Sequence, residues 1–135
     1  MIIQVPRKVS FAVGSLGVLE FLRGYYVYAG SALNGLNARL ERHLRTVKKN
    51  HWHIDFLLEH ARIIEIWYCF SGERLECKWN TAITKLPGVE TSVDGFGSSD
   101  CQCPSHLTMF AQRPLLTEFK QEICKSGWPE VLLRA

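Results

Sequence analysis

Three short runs of β-branched and aromatic residues, separated by glycines, constrain the fold of this 135-residue chain more than any other feature. The runs occupy residues 9–13, 18–21 and 25–28, and the first alternates apolar with polar side chains. Glycine-bearing turns join them, as is typical of antiparallel strands. The pattern predicts an antiparallel sheet of about three strands in the first part of the chain.

Apolar residues then recur at helical spacings of four, four and three. They are Leu36, Leu40, Leu44 and Val47. At about 100° per residue, Arg39 and Arg42 lie beside this apolar stripe and His43 lies at its edge. The helix is therefore predicted to present one core face and one basic face.

The remaining elements complete an α+β pattern. The sequence predicts a short helix at 54–60, a largely buried central strand at 63–70, a helix whose core residues include Trp79 and Ile83, a short strand at 107–110 and a last helix after Pro114. We expect a single domain over residues 1–135, in which a small antiparallel β-sheet is flanked by helices.

Composition excludes several protein classes. The apolar share of 47% and the charged share of 21% are those of a folded globular protein and not of a disordered one. No apolar run approaches the roughly 18–20 residues that cross a bilayer, and the first six residues do not resemble a secretory signal. The five cysteines are odd in number, which favours reduced thiols over a disulfide framework. We therefore expect a cytoplasmic protein without a membrane partner.

Positive charge is concentrated in one short stretch that begins on the predicted basic helix. The residues are Arg39, Arg42, Arg45, Lys48 and Lys49, set against the single acidic residue Glu41. Such a stripe suits a polyanion, and nucleic acid is the predicted partner. The alternative is a solvated helix face with no ligand.

Tyr28, Arg39 and His43 are candidate catalytic residues. A strand that ends in Tyr28 and continues into Ala29-Gly30 can present the phenol at its tip, where the hydroxyl can position a nucleophile or share a proton. The guanidinium of Arg39 matches two phosphate oxygens, and His43 lies one helical turn further on. The alternatives are core packing for Tyr28 and a hydrogen-bonded histidine at the core edge for His43.

Glu76 is the candidate metal ligand. Mg²⁺ and Mn²⁺ prefer oxygen and can be held by one or two carboxylates together with substrate phosphates. Glu73 lies one turn earlier and is a rival. The alternative is a surface glutamate without a ligand.

These residues together resemble the signature of the GIY-YIG nuclease superfamily. Residues 28–30 (Tyr-Ala-Gly) correspond to the second signature, Arg39 and His43 to the helical arginine and histidine, and Glu76 to the metal-binding glutamate. Three longer stretches, 24–32, 49–57 and 95–107, resemble the mostly archaeal Uri-type endonucleases.

The resemblance implies a three-stranded antiparallel sheet flanked by helices, one divalent ion and hydrolysis of phosphodiester bonds, with DNA favoured over RNA. Ser31, directly after the signature, joins the implied nucleic-acid contacts. The tyrosine of the family's first signature has no counterpart in residues 1–5. One alternative is therefore a module that binds nucleic acid without cutting it, and another is a protein-interaction module that uses the four tryptophans.

A cluster of soft metal ligands lies late in the chain. Cys101, Cys103 and His106 form a Cys-x-Cys-x-x-His pattern, to which His51 or His53 could add a fourth ligand for zinc. Structural zinc sites commonly have the wider spacing Cys-x₂₋₄-Cys. A packed or hydrogen-bonded loop is the alternative.

Overall fold

The computed structural model describes residues 1–31, 35–45, 50, 52–69, 74–99, 101–125 and 133–134. Its strands are β1 (Ile2–Val5), β2 (Val9–Ala12), β3 (Val18–Phe21), β4 (Gly24–Tyr28), β5 (Arg62–Glu65), β6 (Trp67–Tyr68), β7 (Val89–Ser92), β8 (Leu107–Phe110) and β9 (Leu133–Arg134). Its α-helices are α1 (Leu36–Leu44), α2 (His53–Leu58), α3 (Glu76–Ile83) and α4 (Leu116–Lys125).

The main sheet has five strands in the order β5-β1-β4-β8-β7, and every neighbouring pair is antiparallel. In the register, Ile2 lies opposite Val27 and Tyr28 lies opposite Leu107. The predicted α+β fold with an antiparallel sheet is confirmed. Three central strands, β1, β4 and β8, are flanked by the two edge strands β5 and β7, so the sheet is wider than the sequence indicated.

The three glycine-separated runs at 9–13, 18–21 and 25–28 all form strands, but they do not share one sheet. β2 and β3 form a separate two-stranded hairpin, and β4 enters the main sheet. The hairpin packs its buried residue Phe21 against Tyr26 of β4, with ring centroids 5.8 Å apart. The hairpin therefore covers the sheet and does not extend it.

Side chains along each strand of the main sheet point alternately to its two faces, and both faces are covered by other elements. One face carries Ile2, Val27 and Phe110 and is covered by α3 and α4, which contribute Ile83, Phe119 and Ile123. The other face carries Ile3, Tyr26 and Met109 and is covered by α2, the hairpin and Phe96. This double burial holds the ends of β4 and β8 at a fixed position relative to α3.

The predicted central strand at 63–70 is wrong in two respects. The segment splits at Ile66 into β5 and β6, and β5 is an edge strand of the main sheet while β6 pairs with β9. Glu65 ends β5 with a buried carboxylate that accepts hydrogen bonds from Trp67 Nε1 at 2.8 Å and from Arg113 at 2.6 Å. These side-chain bonds accompany the break between the two strands.

Helix α1 confirms the predicted element but not the whole of its apolar stripe. Leu36 and Leu40 are half-buried, whereas Leu44 is 58% exposed. The helix ends at Leu44, and the backbone of Arg45 is already extended. Val47 lies outside the described residues. Within the part of the chain that the structure describes, no helix has the length and apolar character needed to cross a membrane.

Candidate active-site groove and a cysteine–histidine cluster

A groove of about 650 Å³ lies between the end of β4, α1, β6 and the first turn of α3. Tyr28, Arg39, His43 and Glu76 all line it, and so does Ser31. Three different elements, β4, α1 and α3, supply the first four of these residues. The structure thus brings the predicted catalytic residues and the predicted metal ligand to one surface, although they are up to 48 positions apart in sequence.

Tyr28 is the last residue of β4, and its half-buried ring packs edge-on against Phe96 with centroids 6.3 Å apart. Gly97 makes this position available to the ring. A Cβ built on Gly97 would lie 2.8 Å from a ring carbon of Tyr28, and its φ of +69° already disfavours other residues. The loop that contains Gly97 therefore sets where the phenol sits.

Arg39 is held against the wall of the groove by two interactions. Its guanidinium donates a hydrogen bond to the carbonyl oxygen of Ser31, and its Cζ lies 4.5 Å from the centroid of the Trp52 ring. A guanidinium over an indole face is attracted by the ring quadrupole. Both contacts restrict a long and flexible side chain. The guanidinium of Arg39 is therefore fixed beside the end of β4.

Asp55 is a buried organiser of this wall that the sequence argument did not single out. It is fully buried, and it accepts two hydrogen bonds from Arg42 at 2.7 and 2.8 Å and one from the backbone N–H of Trp52 at 2.8 Å. Its Oδ1 lies 4.0 Å from Nδ1 of the buried His43. The signal in the sequence was an aspartate three residues into α2, where a carboxylate commonly accepts from the N-cap backbone.

Arg42 therefore has a structural role. Hydrogen bonding to Asp55, aided by their charge attraction, raises the pKa of the Arg42 guanidinium although burial opposes the rise. Its Cζ also lies 4.2 Å from the centroid of the Trp52 ring. Its predicted contact with nucleic acid stays a prediction, as does that of Arg45, which is exposed after the end of α1. Lys48 and Lys49 lie outside the described residues.

Glu76 opens α3 and is half-buried at the groove. Of the groove-lining residues that the structure describes, it alone carries a carboxylate. Its rival Glu73 lies outside the described residues. Tyr68 and Cys69 also line the groove and were not singled out from the sequence, because they follow a strand break that the sequence did not reveal. Burial raises the pKa of the Cys69 thiol, which makes it a poor nucleophile.

A second group of candidate site residues includes Cys77, which directly follows Glu76 in the first turn of α3. Cys77, Cys101, Cys103 and His106 place their ligand atoms within 4.8 Å of one another, so they could hold a metal ion. All five cysteines of the chain lie in described residues, and none forms a disulfide. Hydrogen bonding to the Cys103 thiol, burial and the nearby Cys101 raise the pKa of Cys77 to about 12.

The predicted fourth ligand of this cluster is corrected by the structure. Cys77 completes the group, whereas His53 lies elsewhere and its Nδ1 accepts a hydrogen bond of 2.9 Å from the backbone N–H of Gly97. Burial lowers the pKa of His53, which fits a neutral acceptor. His51 lies outside the described residues. Sequence reasoning missed Cys77 because it is 24 positions before Cys101 and on a different element.

Comparison with known protein families matches residues 1–127 to the family described as "Domain of unknown function DUF123". Comparison with curated proteins and with solved structures finds no match. The family match covers nearly all of the 135 residues, including every residue that lines the groove and every residue of the cysteine–histidine cluster. The chain therefore belongs to the DUF123 family.

Proposed function

We propose that this protein is a metal-dependent endonuclease that hydrolyses phosphodiester bonds in nucleic acid, with DNA as the preferred substrate. The observation that carries the proposal is the shared groove, which is lined by a phenol, a guanidinium, an imidazole and a carboxylate from three elements of the fold. The resemblance of residues 28–30, Arg39, His43 and Glu76 to the GIY-YIG signature supports the same reaction.

The donor set of the groove fits a hard divalent cation. Glu76 offers a half-buried carboxylate at the groove, and Mg²⁺ or Mn²⁺ can be held by one carboxylate together with water and substrate phosphates. When bound, such an ion activates water and neutralises charge on the leaving oxygen. The thiols and imidazole of the cysteine–histidine cluster are softer ligands and form a separate site.

The side chains of Arg39, Tyr28 and His43 each have a different role in this proposal. Arg39, fixed by Ser31 and Trp52, binds the scissile phosphate through its planar fork and stabilises the charge that develops there. The Tyr28 hydroxyl positions the attacking water and can accept or donate its proton. His43, which is buried with its Nδ1 4.0 Å from Oδ1 of Asp55, donates a hydrogen bond to the same phosphate.

Cleavage assays on the purified chain test this proposal. We would incubate it with branched, single-stranded and duplex DNA and with matched RNA, in Mg²⁺, in Mn²⁺ and in chelator. We expect cleavage that requires a divalent ion, and a loss of about 10²-fold or more in rate for Arg39→Ala and for Glu76→Ala. The matched controls are Arg7→Ala and Glu90→Ala, which remove exposed charges away from the groove and should cleave like the wild type.

Two results would refute the proposal. Cleavage that survives both groove substitutions, or that proceeds in chelator, would come from another site or from a contaminating nuclease. Binding without cleavage in every metal would identify the alternative, a nucleic-acid-binding module. Such binding should weaken steeply as salt rises, because each neutralised phosphate releases counterions.

A further inference from the structure

The cysteine–histidine cluster gathers four soft ligands from two separate parts of the chain. Cys77 comes from the first turn of α3, and the other three come from the loop between β7 and β8, which supplies Cys101, Cys103 and His106. His106 is buried, and the three cysteines are half-buried. A local turn supports the set, since the backbone N–H of Cys101 donates to the carbonyl of Ser98 at 3.3 Å.

The two sulfur–nitrogen distances at His106 match the edges of a tetrahedron around zinc. With Zn–S bonds of about 2.3 Å and a Zn–N bond of about 2.0–2.1 Å, tetrahedral geometry places two sulfurs about 3.8 Å apart and a sulfur and a nitrogen about 3.6 Å apart. In the structure, Nε2 of His106 lies 3.4 Å from Sγ of Cys101 and 3.7 Å from Sγ of Cys77. All four ligand atoms fall within 4.8 Å of one another. The narrow Cys-x-Cys spacing is therefore no obstacle, because Cys77 supplies the third sulfur from α3.

The cluster also lies where it can connect the two sides of the groove. Cys77 directly follows Glu76, and the backbone N–H of Ala29, directly after Tyr28, donates to the carbonyl of His106 at 3.1 Å. On the same face of α3, one turn after Cys77, Asn80 donates to the carbonyl of Ser105 at 2.7 Å. A metal ion held by the cluster would thus join α3 to the loop that contacts the end of β4.

We propose that Cys77, Cys101, Cys103 and His106 bind one zinc ion in a closed structural site, and that this ion fixes Glu76 relative to Tyr28. Three sulfur ligands favour zinc over Mg²⁺, and four protein ligands fill the coordination shell, as in structural sites. The metal binding stands independently of catalysis. The positioning of Glu76 rests on the proposed function.

Metal content and cobalt spectroscopy test the binding. The full-length chain, purified without chelator, should contain about one zinc per chain by mass spectrometry of the metal. Removal of zinc and addition of Co²⁺ should produce the sulfur-to-cobalt charge-transfer and tetrahedral d–d absorption bands. Cys77→Ser and Cys103→Ser should lose the zinc and these bands. The matched control is Cys124→Ser, which changes an exposed cysteine on α4 and should keep both.

If the cysteine variants fail to fold, the zinc content and cobalt spectrum of the wild-type protein are sufficient to test the proposed site. The proposal is overturned if the wild-type protein carries no zinc and if added Co²⁺ produces no tetrahedral cobalt–thiolate absorption bands. Bands that do form should disappear when Zn²⁺ is added. Iron in place of zinc overturns the proposal as well. A protein with one zinc per chain but no nuclease activity would uphold the site and refute the proposed function, so the two failures are distinguishable.

Hydrogen exchange tests the positioning role without any activity measurement. Zinc should slow amide exchange in the first turn of α3 and in residues 101–106, because the ion joins these segments. Exchange that zinc leaves unchanged in α3 would overturn the claim that the ion fixes Glu76.

Discussion

Replacing Asp55 by asparagine should destabilise the fold strongly, although the two side chains have nearly the same shape. The substitution removes a fully buried carboxylate that accepts two bonds from Arg42 and one from the Trp52 backbone. Loss of one partner from a buried ion pair costs about 3–5 kcal/mol in unfolding free energy, because the other charge stays behind. The Arg42 side chain is 22% exposed, so water lessens the penalty and we expect about 3 kcal/mol.

Thermal unfolding followed by circular dichroism measures this loss. An unfolding entropy of about 2.1 cal/mol/K per residue, over a chain of this length, converts about 3 kcal/mol into a fall in Tm of roughly 10 °C. The control is Glu20→Gln, which breaks the exposed ion pair with Lys8 and should lower Tm by less than about 2 °C. An Asp55→Asn protein that melts within about 2 °C of the wild type would refute the view that this carboxylate organises the groove wall.

Three further predictions follow from the same geometry. Gly97→Ala should lower the free energy of unfolding in urea by about 1–3 kcal/mol more than Gly88→Ala does. Both glycines have positive φ, but of the two only a Cβ at Gly97 would contact the Tyr28 ring. Equal losses of unfolding free energy in the two variants would contradict this reasoning. Burial lowers the pKa of His53 below its ordinary value of 6.5, so its contribution to stability is complete above about pH 6.5 and is lost as pH falls toward the lowered folded pKa. His53→Asn, which keeps an acceptor for Gly97 but does not titrate, should remove this part of the pH dependence in melts between about pH 4.5 and 8, and an unchanged pH profile would count against it. Arg45→Ala should weaken DNA binding equally for all sequences and reduce the slope of log K against log salt by about 1, whereas an unchanged slope would place Arg45 away from the bound phosphates.

Local sequence patterns identified most of the helices and strands but not their pairing. The alternation in β2 was visible and β3 was recognised as a strand, yet neither pattern could show that this hairpin covers the sheet while β1 and β8 flank β4. Strand pairing between residues 1–5, 24–28 and 107–110 depends on long-range contacts that periodicity does not contain. The break at Ile66 was equally hidden, since a continuous apolar run gives no sign of where a chain changes partner.

Four residues that line the groove, Tyr28, Arg39, His43 and Glu76, were singled out from the sequence because each has distinctive chemistry next to a readable element, whereas Tyr68 and Cys69 were not. Tyr28 ends a strand before glycine, and Arg39 and His43 share one helix. Asp55 and Cys77 were missed for a common physical reason: their importance comes from partners on other elements, Arg42 in one case and the loop cysteines in the other. Single-residue patterns cannot report such pairs, and only the folded chain brings them together.

The rate of the double variant Tyr28→Phe/Arg39→Lys tests most directly whether the groove residues act on one phosphate. Each single substitution should slow divalent-dependent cleavage by about 10²-fold. Residues that act as a unit have strongly non-additive effects, so the double variant should be little slower than the slower single variant. A loss near the product of the two, about 10⁴-fold, or a wild-type rate that neither substitution lowers, would contradict a shared catalytic site.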